Sequence, residues 1–164
     1  MSANRSNMAW LAHRASHEIE PVMRFTDEGL VLGAGTILAP SAGSSRDISI
    51  DPSDPRLRAL LTAAHIGEPR ALALSHLQKA AERWREGDDA LAAMHLTLSR
   101  LDRLAQPEAD ALRLFVAAAL LDAEAVPTAI ARSVSDGHAE SGYLSKFDPN
   151  EPRVPAGSGR PSGQ

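Results

Sequence analysis

The sequence predicts a mainly α protein: a small four- to five-helix bundle with a short N-terminal β-hairpin and a disordered C-terminal tail. Three observations carry this. Hydrophobic residues make up 43% of the 164, but 29 of them are alanine and aromatics reach only 4%, a composition that favours helix over sheet. From Asp54 onward, residues that start and stop helices recur at regular spacing. Beyond Val134 that pattern dissolves into glycine, serine and proline.

Residues 1–20 read as a loose leader with one short helix near 8–20, which Pro21 would stop. A hairpin and linker are expected over 22–49. Val22-Met23-Arg24-Phe25 alternates apolar and polar residues, and Thr26-Asp27-Glu28-Gly29 supplies turn chemistry. Leu30-Val31-Leu32 with Thr36-Ile37-Leu38 then resumes a strand-like run. Two strands alone are too few to bury Val31, Leu32, Ile37 and Leu38, so something must cover these four, the bundle or a second chain. They are the candidate interaction residues. Pro40-Ser41-Ala42-Gly43-Ser44-Ser45 reads as linker.

The bundle is expected over 54–134. Asp54 offers a side-chain acceptor at a helix start and Pro55 fits the first helical position, where its missing N–H costs nothing; Leu57, Leu60, Leu61 and Ala64 make one face and Gly67 ends the helix. Pro69 opens a second helix with Leu74, Leu77, Ala81 and Trp84 on one face, closed by Gly87, and Trp84 is expected to anchor its contact with the third. Asp88 caps that third helix, where Leu91, Met94, Leu98, Leu101 and Ala105 have the spacing of a packed seam. Pro107 starts a fourth, with Leu112, Phe115, Val116, Ala119, Leu120 and Ala123 as its apolar face, and Pro127 begins a short fifth through Val134. The short links make sequential helices antiparallel neighbours. Over 135–164, Pro149, Pro152, Pro155 and Pro161 alternate with Gly157, Gly159 and Gly163, too little hydrophobicity to offset the cost of ordering the backbone.

Several chemistries are disfavoured at once. A formal net charge of −4 leaves no positive excess to neutralise a phosphate backbone, so no nucleic-acid partner is expected. The absence of cysteine excludes disulfides, thiolate metal sites and a thiol nucleophile. No apolar run approaches the length of a bilayer span and no secretory signal is legible, so no membrane is expected; the cytoplasm is the default compartment, with export not excluded.

His13 and His17, four apart, would share a helical face and are the candidate metal ligands, but HRASH lacks the glutamate that a zinc-hydrolase helix places after its first histidine. Neither a metal nor another cofactor is expected. His65, His76 and His95 fall in the bundle and read as structural histidines. Leu32-Gly33-Ala34-Gly35-Thr36 has two glycines of a phosphate loop, but strand-like residues follow where a helix belongs, so the glycines are expected to permit a bend or bulge.

The tail 146–164, with Pro152-Arg153-Val154-Pro155-Ala156-Gly157, resembles a linker of uncharacterised proteobacterial, rhizobial-type multidomain proteins, in which a string similar to PRVPAGxxxGGQW precedes a variable C-terminal module. Glu82-Arg83-Trp84-Arg85-Glu86-Gly87-Asp88 and Ala92-Ala93-Met94-His95-Leu96 resemble the helical region before that linker. The resemblance implies a domain context, a helical module preceding an effector domain, and transfers no functional residue. The expected function is a non-catalytic interaction or adaptor module that binds a protein partner or itself. Two alternatives stand beside it: a metal- or histidine-dependent hydrolase built on His13, His17 or His65, and a helix-turn-helix regulator about the Gly87-Asp88 turn.

Overall fold

The computed structural model describes residues 2–139. Six helices and a three-stranded antiparallel sheet follow one another in the order α1 (Ser2–Ser16), β1 (Glu20–Thr26), β2 (Gly29–Gly33), β3 (Thr36–Pro40), α2 (Pro55–His65), α3 (Ala71–Arg85), α4 (Asp89–Ser99), α5 (Pro107–Asp122) and α6 (Pro127–Ala139). The chain is mainly helical, as expected, but its described residues form six helices and a three-stranded sheet where a four- to five-helix bundle and a two-stranded hairpin are expected. The tail resembling a multidomain linker, 146–164, lies outside the described residues. The stretch 135–139, expected as tail, belongs to α6.

Local chemistry sets the helix ends. Asp54 accepts a hydrogen bond from the Arg56 N–H (3.0 Å) ahead of Pro55, and Asp88 accepts one from the Leu91 N–H (3.1 Å), each satisfying a donor that the first turn leaves free. Between α3 and α4, Gly87 takes φ +84° while its N–H reaches Trp84 O and that of Asp88 reaches Arg83 O. This paired C-terminal closure needs the left-handed conformation that glycine adopts without cost.

The strand-like run 30–38 is two strands. Gly33 and Gly35 both adopt positive φ and turn the chain, so β2 lies between β1 and β3. A Cβ on Gly33 would stand 3.3 Å from the Ala111 Cβ, so glycine here also lets α5 rest on the turn. Covered by its two neighbours and by α5, β2 is buried along its length. Helix α2 packs against both α5 and α6, and α3 pairs with α4.

One core runs through all of this: Met23, Leu30, Leu32 and Leu38 of the sheet join Leu57, Leu60, Leu61, Leu74, Leu77 and Leu114 of the helices. Within the region expected as a loose leader with one short helix near 8–20, Ser2–Ser16 form α1, and its Trp10 is only 8% exposed, packed on Phe115 with ring centroids 5.3 Å apart. The hairpin-and-linker region expected over 22–49 ends in buried Ile48, with Ile50 buried just beyond it, and its linker closes on itself through a Ser41–Ile48 bridge.

Helix α4 ends at Ser99, short of the seam expected to reach Ala105. The next residues are recruited elsewhere: the Met23 N–H donates to Asp102 O (2.7 Å) and the Leu104 N–H to Pro21 O (2.8 Å), bridging 102–104 to the outer edge of β1. Pro21, with no N–H, is tolerated on this edge, where its carbonyl is the group in use.

Candidate functional site

The four candidate interaction residues are mostly interior. Val31, Leu32 and Leu38 are buried and Ile37 is half-buried, because the third strand and the helices cover what a two-stranded hairpin would have left open. Of the two covers expected for these candidate interaction residues, the bundle or a second chain, the chain's own elements supply one in cis. The outer edge of β1 is likewise occupied in cis by 102–104.

His13 and His17 come together, but as a stacked pair. Their rings lie parallel within 9° at a centroid distance of 4.0 Å. Nε2 of His13 donates to Ala34 O, and Nδ1 of His17 lies 3.1 Å from both His13 O and Ser16 Oγ. Parallel rings direct their lone pairs side by side, whereas two ligands of one ion must converge. The pair instead fills space over Phe115, 4.8 Å from the His13 ring, and over Gly35, whose missing side chain admits the His17 ring.

His65, at the end of α2, is half-buried, and its Nε2 is shielded from solvent without a hydrogen-bond partner. Burial pushes its pKa down, against weaker pulls from the Leu101 backbone and the carboxylates of Asp110 and Asp102. Asp110, itself buried, is already engaged: it pairs with Arg113 and accepts from the Gln106 N–H (2.8 Å), closing the start of α5. Arg113 also donates to Ala63 O (2.7 Å). This polar knot ties α2 to α5 beside His65.

Trp84 is half-buried and faces the sheet. Its ring stacks on Phe25 of β1 at 5.0 Å and 12°, Arg46 stands 4.2 Å from its centroid, and its Nε1–H donates to Ser45 O (3.3 Å). It pins the 41–50 segment and β1 to the α3–α4 hairpin rather than sealing α3 against α4.

The remaining arrangement is the outer side of that hairpin. The inner side of α3 buries Leu74, Leu77, Ala80 and Ala81; α4 buries Ala92, Leu96 and Ser99, not the seam of Leu91, Met94 and Leu98 that its spacing suggested. As a result, Met94 is 45% and Leu98 49% exposed on α4, and Leu72 is 71% exposed on α3. Between them His76 and His95 meet across the two helices with their Nδ1 atoms 3.3 Å apart. Antiparallel pairing centred on this contact places Leu72 and Leu98 at the same end of the hairpin. The sequence held a partial signal for this: His76 and His95 flank the Gly87 turn, one on each of two helices that a short link makes antiparallel neighbours.

A groove of about 560 Å³ between α2 and α6 is lined by Arg58, Thr62, Glu68, Thr128 and Arg132 among others, with Arg58 paired to Glu68 at its rim. Among the described residues no three His, Cys, Asp or Glu side chains gather in a metal-binding group, and no helix is long and apolar enough to cross a membrane. No family model matches the chain, and neither the curated proteins nor the solved structures contain a match to it.

Proposed function

We propose that the chain is a non-catalytic helical interaction module whose docking surface is the outer side of the α3–α4 hairpin. The observation that carries this is the exposure of Leu72, Met94 and Leu98 on one two-helix element whose opposite side is packed into the core. Large apolar side chains grouped in water on a rigid pair of helices are a favourable contact for another helical surface. Helix α4 has no lysine or arginine along its length, which favours a protein contact over a nucleic-acid one. A second copy of the chain is the partner this reading commits to first: two such hairpins laid face to face form a four-helix arrangement that covers the same residues on both copies.

Light scattering on the intact chain across a range of concentrations tests this. The expected result is a mass above that of one chain, returning to the monomer in Leu98→Glu with the circular dichroism spectrum unchanged. If the chain stays monomeric, photo-crosslinking from position 98 in the native host must trap one defined protein. Failure of both refutes the reading.

A further inference from the structure

The meeting of His76 and His95 has a geometry that a hydrogen bond alone does not require. Two imidazole nitrogens bound to one tetrahedral Zn²⁺ at about 2.0–2.1 Å stand about 3.3–3.4 Å apart, while a right-angled pair of ligands at the same bond length would stand only about 2.9 Å apart. The two Nδ1 atoms are separated by 3.3 Å, the ring centroids by 5.5 Å, and the ring planes differ by 30°. Each histidine sits near the middle of a capped helix, and the Gly87-Asp88 closure fixes the register of the two helices, so the separation is set by the fold and not by loop geometry.

We propose that His76 and His95 form a two-histidine site for a divalent ion of tetrahedral preference, Zn²⁺ above all, that staples α3 to α4 on the outer side of the hairpin. This inference goes beyond the docking reading and does not depend on it. Both histidines are half-buried as residues, so an ion can reach them from solvent. In the metal-free protein, Nδ1 of one ring carries the proton that the other accepts. For the ion to bind, the donor ring takes its other tautomer, its proton passing through solvent from Nδ1 to Nε2, so that two neutral imidazoles present Nδ1 lone pairs to the metal with no net proton released. Among the described residues no third side chain completes the set, and the remaining positions on the ion fall to water or to a donor from another molecule. Lys79 and Arg83 face His95 from α3, with Glu82 opposing them; this positive balance weakens binding and sets the site apart from a closed structural zinc centre.

The test is calorimetric titration of the intact chain with ZnCl₂ at pH 7.5, repeated on His76→Gln, on His95→Gln and on the double variant His13→Gln/His17→Gln. Expected are one Zn²⁺ per chain, at least a tenfold loss of affinity in each of the first two variants, and no change in the third. Circular dichroism shows whether each variant is folded, and Co²⁺ as a probe gives the strong visible bands of a tetrahedral site in the wild type and loses them in either single variant. Equal Zn²⁺ affinity in wild type and both single variants, or the weak bands of octahedral Co²⁺, would overturn the proposal. Zinc binding by a chain that shows neither self-association nor a crosslinked partner leaves this inference standing while the docking reading fails.

Discussion

Replacing Trp84 with alanine removes the side chain that joins the sheet, the 41–50 segment and the α3–α4 hairpin, and its cost can be worked from what the ring touches. An aromatic side chain of this size buries about 150–250 Å² when fully covered. With Trp84 half-buried, about 75–125 Å² leaves water, contributing about 2–3 kcal/mol at about 25 cal/mol per Å², an upper figure because the unfolded chain is already partly collapsed. The stack on Phe25 at 5.0 Å adds about 0.5–1.5 kcal/mol beyond area. Loss of the hydrogen bond to Ser45 O removes about 0.5–1 kcal/mol more. Discounted for that collapse, the expected loss is about 3 kcal/mol, read as a lowered urea midpoint at constant slope. The placement of the ring is tested separately by a double-mutant cycle with Phe25→Ala, for which a coupling of about 1 kcal/mol is expected. A loss below about 1 kcal/mol, or a coupling of zero to Phe25 alongside a clear coupling to Leu91 of α4, would refute this account and restore Trp84 to the contact between the two helices.

Gly29→Ala and Gly43→Ala form a matched pair of predictions, since both glycines have positive φ. A Cβ at Gly29 would lie 2.2 Å from Ala39 O, so that variant is expected to lose about 2–4 kcal/mol, whereas Gly43 faces open space and should lose only about 1 kcal/mol; equal midpoints in urea would contradict the β2–β3 geometry. His65 supplies a pH dependence. Because burial lowers its native pKa, the unfolded chain takes up a proton first, so the stability gained by keeping the ring neutral is full above about pH 6.5 and is lost as pH falls toward the native value. Melting temperatures at pH 7.5 and 5.0 should therefore differ more in the wild type than in His65→Gln, and parallel behaviour would show that the ring is not held neutral.

What the sequence made legible was chemistry that acts over a few residues. Asp54-Pro55, Gly87-Asp88 and Pro107 mark the starts and stops of α2 to α5 because a cap or a missing N–H is satisfied within its own turn. Helix faces were less legible where nearly every residue is apolar. In α4, Leu91, Ala92, Met94, Leu96 and Leu98 allow more than one packed register, and the structure buries Ala92 and Leu96, small and large side chains that let α3 approach closely. The same ambiguity hides Leu114 as a core residue of α5, while Leu120 stays exposed. The third strand was missed because Gly33-Ala34-Gly35 reads equally as a bend within one strand and as a turn between two; only the packing of Ala111 on Gly33 chooses. Of the candidate site, each histidine was visible, but pairing His76 with His95 required the register of two helices about a closed turn.

The bridge between β1 and the 102–104 segment also constrains the order in which the protein can assemble. Val22 finds Arg103 about 80 residues later in the chain, a long loop to close compared with the neighbouring contacts of the helical hairpin, and such non-local pairings slow folding. On the ribosome β1 emerges well before its outer neighbour has been made. During that interval the sheet can form only as β1–β2–β3 with one side unguarded, and its backbone groups are open to another nascent chain. Translation of Arg103 and its neighbours therefore ends a window of vulnerability to strand-mediated aggregation, and pausing before that point lengthens it.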